Sequence, residues 1–93
     1  MAGYAKTYKL PDRELAAIRD LGMSYEEART SHDGYFSSWI ERKRTERDGH
    51  PVITLQERGQ GWAVEVTLDA NGAVAQAIAL PPEKARELDP GAQ

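Results

Sequence analysis

Chemistry in this chain would have to come from its histidines, its carboxylates or its arginines. His32 and His50 stand eighteen residues apart, each close to an aspartate, Asp33 and Asp48, and there is no cysteine. A structural or catalytic zinc needs three or four ligands, so two isolated histidines predict no metal site, and without a thiol no cysteine nucleophile exists. Carboxylate pairs are plentiful: Glu26 with Glu27, Glu41 with Asp48, Glu57 with Glu65. Acid–base catalysis needs two such groups in a cleft with separated pKa values. Here the patterning puts them on exposed faces. No Gly-x-Gly-x-x-Gly follows a strand, no Gly-Lys-Ser/Thr loop is present, and Gly59-Gln60-Gly61 reads as a turn. The serines lack a nucleophile-elbow setting. The expectation is a protein that is not an enzyme and carries no cofactor.

Binding chemistry is better represented. Arg42, Lys43, Arg44 and Arg47 form the densest basic cluster, with Arg58 in the following turn. Arginine can fork onto phosphates or guanine edges, but Glu41, Glu46 and Asp48 are interleaved with these cations. Residues 1–50 hold nine Lys/Arg and nine Asp/Glu, whereas residues 51–93 hold three and six, so the net charge of −3 lies in the C-terminal half. Glu57, Glu65, Asp69, Glu83 and Glu87 would present that charge near a sheet. Such a surface steers toward a basic groove on a partner. The first expectation is an acidic protein-interaction module that inhibits or regulates a partner protein, nucleic-acid-binding proteins among the candidates. The alternative is DNA contact through the basic cluster. A homodimer is a further expectation.

The elements that would position these residues follow from periodicity. Leu10-Pro11-Asp12 opens a first helix with a Leu15, Ile18, Leu21 stripe, and Gly22 ends it. Ser24 caps a second helix, and Glu27 three residues on completes a capping box. Tyr35, Phe36, Trp39 and Ile40 share one helical face, and Gly49 with Pro51 is a stop signal, which predicts a helix over about 34–48. The rival reading starts a strand near Ser38 and makes Asp48-Gly49 a two-residue hairpin turn. Val52–Glu57 and the alternating Trp62–Leu68 are strands. Asn71-Gly72 is a hairpin turn into a third strand, with Val74, Ile78 and Leu80 on one face and Ala73, Ala75, Ala77 and Ala79 on the other. That alanine face suits close packing by a helix. A short helix over 82–88 and a mobile tail over 89–93 complete the chain, while Met1–Lys9 reads as an edge strand or an arm.

Helix, helix, turn, helix and then a hairpin resembles the winged-helix DNA-binding domain. In that resemblance Ser24–Ser31 is the second helix, His32-Asp33-Gly34 the turn, Tyr35–Arg47 the reading helix and Val52–Val66 the wing, with Arg58 at its tip. Under the strand reading, the segment from Ile40 to Leu55 would itself look like the family's wing. The resemblance implies DNA binding through Arg42, Lys43, Arg44, Arg47 and Arg58.

The predicted fold is a single α+β domain of 93 residues. Its first 48 residues are mainly helical and pack on a three-stranded antiparallel meander over 51–80. The predicted core is Leu15, Ile18, Leu21, Tyr25, Phe36, Trp39, Ile40, Ile53, Leu55, Trp62, Val64, Val66, Ile78 and Leu80. No apolar run approaches bilayer length, and no basic-then-apolar leader stands at the start. A soluble cytoplasmic protein of bacterial or phage type is expected.

Overall fold

The computed structural model describes residues 5–92, and its centre is a hairpin where the preferred sequence reading places a helix. Strand β1 (Trp39–Arg47) pairs antiparallel with β2 (His50–Glu57), from Trp39 opposite Glu57 to Arg47 opposite His50. Asp48 and Gly49 between them have φ of 53° and 81°. A two-residue turn of this kind needs positive φ at both positions, which Asp and Gly tolerate. The helix expected over 34–48 is therefore corrected, and the rival strand is the one that forms. Helix propensity is worth only tenths of a kcal/mol per residue, roughly, for Glu41–Arg47, and tertiary context overrides it. Pairing with β2 provides that context, and the Gly-and-Pro stop signal serves equally as a hairpin tip. Residues 35–38 are turns that deliver the chain into β1, with the Phe36 N–H donating to Ala28 O at 2.8 Å.

Strands β3 (Ala63–Leu68) and β4 (Val74–Ala79) extend the sheet in the order β1-β2-β3-β4, all antiparallel. The sheet thus has four strands, and its first lies within the segment expected to be helical. Side chains alternate across a strand, so each face of the sheet receives its own cover. One face carries Trp39, Ile53, Leu55, Val64, Val66 and Ala77 against α1 (Asp12–Arg19) and α2 (Tyr25–Thr30). Ile18 of α1 and Ala28 of α2 are fully buried there. Phe36 sits among Tyr25, Tyr35 and Trp39, with ring centroids 5.1–6.1 Å away. Helix α2 begins as its capping box predicts, with Ser24 Oγ accepting the Glu27 N–H at 3.1 Å. The other face receives α3 (Pro82–Leu88), whose Ala85 packs against Ala63 and Tyr8.

Strand β4 turns opposite to the expected way. Ala77 is 1 % exposed, whereas Ile78 is 42 % exposed and faces out. A register irregularity supplies the reason: Thr67 opposes Gln76 while the next residue, Leu68, opposes Val74. One extra residue on β4 inverts the alternation beyond it. Val74 and Ala77 can then both meet the core, and the small alanines let α1 approach closely, as the alanine face suggests. Arg19 of α1 forks onto Ala77 O through Nε and Nη2 at 3.3 and 3.0 Å. Leu15, Leu21, Ile40, Trp62 and Leu80 are partly buried.

Both ends of the described chain are also held. The expectation of a mobile tail over 89–93 is corrected for residues 89–92. Asp89 is buried, and Pro90–Ala92 forms a 3-10 turn after α3. Residues 5–9 of the N-terminal segment form an arm and no strand, and residues 1–4 lie outside the described region.

Gly34 shows how closely the turn into β1 packs on α2. A Cβ there would lie 2.3 Å from Ala28 O, and backbone cannot give way as a flexible side chain can. Gly34→Ala is expected to cost at least about 2 kcal/mol, as overpacking does, read as a lowered urea midpoint at unchanged slope.

Candidate functional site

The five basic candidates do not form a free basic face. Arg44 forks onto Glu41, Nε to Oε2 at 3.1 Å and Nη2 to Oε1 at 3.0 Å, and its guanidinium lies over the Tyr25 ring. The Tyr25 hydroxyl donates to the same carboxylate at 2.8 Å. Arg44 first, then Tyr25, hold the Glu41 carboxyl below its ordinary range, while burial and the bond to Glu41 push Tyr25 up. Arg42 donates to Gln56 Oε1 at 2.8 Å, and Arg47 reaches Glu65 at 3.5 Å. Lys43 and Arg58 are exposed and make no ion pair among the described residues.

The five acidic candidates are spread along the sheet. Asp69 caps the β3–β4 turn, accepting the N–H groups of Asn71 and Ala73 at 2.8 and 3.0 Å. Glu57 accepts the Gln60 N–H in the β2–β3 turn. Glu65 is occupied by Arg47. Glu83 and Glu87 stand one turn apart on the exposed side of α3, with Lys84 4.0 Å from Glu87. The turn holding Asp69 lies at one end of β3 and the segments holding Glu57, Glu83 and Glu87 at the other.

What the fold does assemble is a groove between the N-terminal arm and the β2–β3 turn. It encloses about 590 Å³ and is lined by Thr7, Lys9, Leu10, Pro11, Asp12, Gln60 and Trp62. The Tyr8 N–H donates to Gln60 O at 3.0 Å and pins one wall to the other. Tyr8 has φ of 59°, an uncommon conformation for a bulky residue. Gly61, at φ of 80°, makes room for its ring, since a Cβ there would lie 2.6 Å from two ring carbons. Behind the groove, Asp89 Oδ2 accepts from Lys6 Nζ and from the Tyr8 hydroxyl, each at 2.8 Å, and Oδ1 accepts the Gly91 N–H at 2.9 Å. The Lys6 bond, then the Tyr8 bond, hold the Asp89 carboxyl down at about 2, while Asp89 raises Lys6. Burial, then the same bond, raise Tyr8, and Arg86 lies over its ring at 4.8 Å.

Sequence reading missed this clasp. Its partners are more than eighty residues apart, and the only local trace is Asp89-Pro90-Gly91, a turn-forming sequence in which Asp bonds its own backbone two residues on. Among the described residues no three His, Asp or Glu side chains gather as metal ligands, and no helix is long and apolar enough to cross a membrane. Family models, curated proteins and solved structures contain no match to this chain.

Asp89 generates a pH prediction. Its folded pKa of about 2 lies below the ordinary 3.8, so the clasp contributes stability that is fully present above the unfolded pKa. That contribution disappears as pH falls through the folded pKa. Asp89→Asn is expected to lower the urea midpoint at pH 7 and to remove the part of the stability loss that wild type shows between about pH 4 and 2. Denaturant titrations across that range check both.

Proposed function

We propose that this chain is a non-enzymatic protein-interaction module that regulates or inhibits a partner protein. An apolar side chain of an extended segment of that partner seats against Trp62. The observation that supports this reading is the arm groove. Leu10, Pro11 and Trp62 give it an apolar floor, and Lys9 and Asp12 put both charge signs on its rim. Buried aromatic anchors dominate binding energy at protein interfaces. A site whose walls are already pinned loses little entropy on binding, and the Tyr8–Gln60 bond and the Asp89 clasp provide that pinning.

The acidic residues enter this reading less as one surface than as local features. Asp12 lies on the rim and Glu57 braces the turn behind it, while Glu83 and Glu87 remain available for steering. Photo-cross-linking in the native host tests the site. A benzophenone side chain at Lys9 is expected to capture a distinct partner that the same group at Thr30, on the exposed side of α2, does not capture. Exchanging the rim charges, Lys9→Glu with Asp12→Lys, is expected to weaken capture while leaving the unfolding midpoint near wild type. Equal capture from both positions would sink the groove as the docking place.

DNA binding is the competing reading, and it belongs to the β1–β2 hairpin in the manner of a wing. Three of its cations, Arg42, Arg44 and Arg47, are engaged within the fold, which favours the protein partner. Gel shifts against random duplex at low salt decide between them. The protein reading expects no shift at tens of micromolar protein, a range in which even non-specific binders associate, with Kd of about 10⁻⁴–10⁻⁶ M at physiological salt and tighter below it.

A further inference from the structure

The two edges of the sheet are treated differently. At β4, α1 packs alongside and Arg19 occupies the carbonyl of Ala77. At β1, Arg29 takes the carbonyl of Trp39 at 2.9 Å, and an irregularity between Glu41 and Lys43 breaks the ladder at Arg42. Beyond it, Lys43–Arg47 is a regular, exposed stretch of strand with no element along its outer edge among the described residues. Unpaired strand edges are templates for further pairing.

We propose that this edge of β1 pairs with the same edge of a second copy of this chain, antiparallel, about a two-fold axis at Thr45. Parity carries the argument. Arg47 and His50 flank the two-residue turn, so they exchange backbone bonds with each other. Thr45 and Lys43 then also point their backbone groups toward β2, while Arg44 and Glu46 point theirs outward. Two copies can bond only outward residue to outward residue. Within Lys43–Arg47 that leaves three registers: Arg44 on Arg44, Glu46 on Glu46, or Arg44 on Glu46 twice. The first two place like charges opposite one another and the third opposite charges, which are favourable across a strand pair.

The side chains are compatible with that register. Arg44 uses Nε and Nη2 for Glu41, which leaves Nη1 with no bond among the described residues to meet Glu46 of the second copy. On the other face the two Thr45 residues meet at the axis. Lys43 faces Arg47 of the second copy, a like-charge contact that Glu65, 3.5 Å from Arg47, offsets. A ladder of four backbone bonds over five residues makes a small interface, so the dimer is weak and concentration-dependent.

Sedimentation equilibrium tests this on the full chain. Wild type is expected to rise to about 1.5 times its monomer mass at about 1 mM, the range in which small interfaces associate. Glu46→Arg alone and Arg44→Glu alone are expected to stay monomeric, and an equimolar mixture of the two to associate again, because each then offers the other opposite charges at both positions. Arg44→Glu also removes the fork onto Glu41. Glu46→Pro therefore serves as an independent variant, deleting one outward N–H while leaving the β1–β2 ladder its bonds, and it too is expected to be monomeric. A wild type that stays monomeric at that concentration, or a Glu46→Pro or single charge variant that associates like wild type, overturns the proposal.

Discussion

The side chain of Gln56 is the joint on which the two layers of the protein depend. It is 1 % exposed at the end of a central strand, and every polar group it carries is used. Nε2 donates to Ala85 O at 2.8 Å and to Gly61 O at 2.9 Å, and Oε1 accepts from Arg42 at 2.8 Å. Those three bonds join α3, the β2–β3 turn and the irregular residue of β1. A buried amide with one unmade bond costs about 1–3 kcal/mol, so the three partners are not free to move separately. The position of α3, the shape of the turn that walls the groove and the break in β1 are all tied to the same amide.

The second constraint is the closure of the chain ends behind the groove. Lys6, Tyr8 and Asp89 form a small polar cluster beside the apolar group of Ala63 and Ala85. Burying a charge is costly unless it is paired and hydrogen-bonded, and Asp89 is both. The positive φ of Tyr8 is a conformation held only where the surroundings over-determine it. Here the buried ring, its hydroxyl bond to Asp89 and its amide bond to Gln60 all fix the same residue. The groove at Trp62 is therefore held in place on its arm side.

Several of the charges around the sheet are engaged within the fold. Cations of β1 meet Glu41, Gln56 and Glu65, and carboxylates of the turns cap their own backbone. In a chain that is 29 % charged, the contrast between a neutral N-terminal half and an acidic C-terminal half is softened once β1 lies beside β2 and β3, because Arg47 meets Glu65 there. What the fold leaves open is an apolar groove at one end and a strand edge at the hairpin.

By itself the sequence determined the features whose causes are local. Periodic leucine and isoleucine set α1, the Ser24 and Glu27 box set the start of α2, alternation set β3, and Asn71-Gly72 set the turn before β4. Each rests on residues within a few positions of one another. It also contained both readings of residues 39–47, since a stretch rich in Glu, Lys and Arg suits a helix while Asp48-Gly49 suits a hairpin tip. Only the presence of β2 as a partner decided between them, because ladder bonds outweigh tenths of a kcal/mol in propensity. The alanine face of β4 was legible as a surface a helix could pack on, but that Val74 joins Ala77 on the inner side while Ile78 faces out was not, since one extra residue on β4 shifts the alternation and leaves no mark in composition. The Asp89 clasp, the groove at Trp62 and the spending of the basic cluster on acids elsewhere in the chain needed the tertiary structure as well. Their partners meet across dozens of residues, and what brings them together is the burial of the two faces of the sheet.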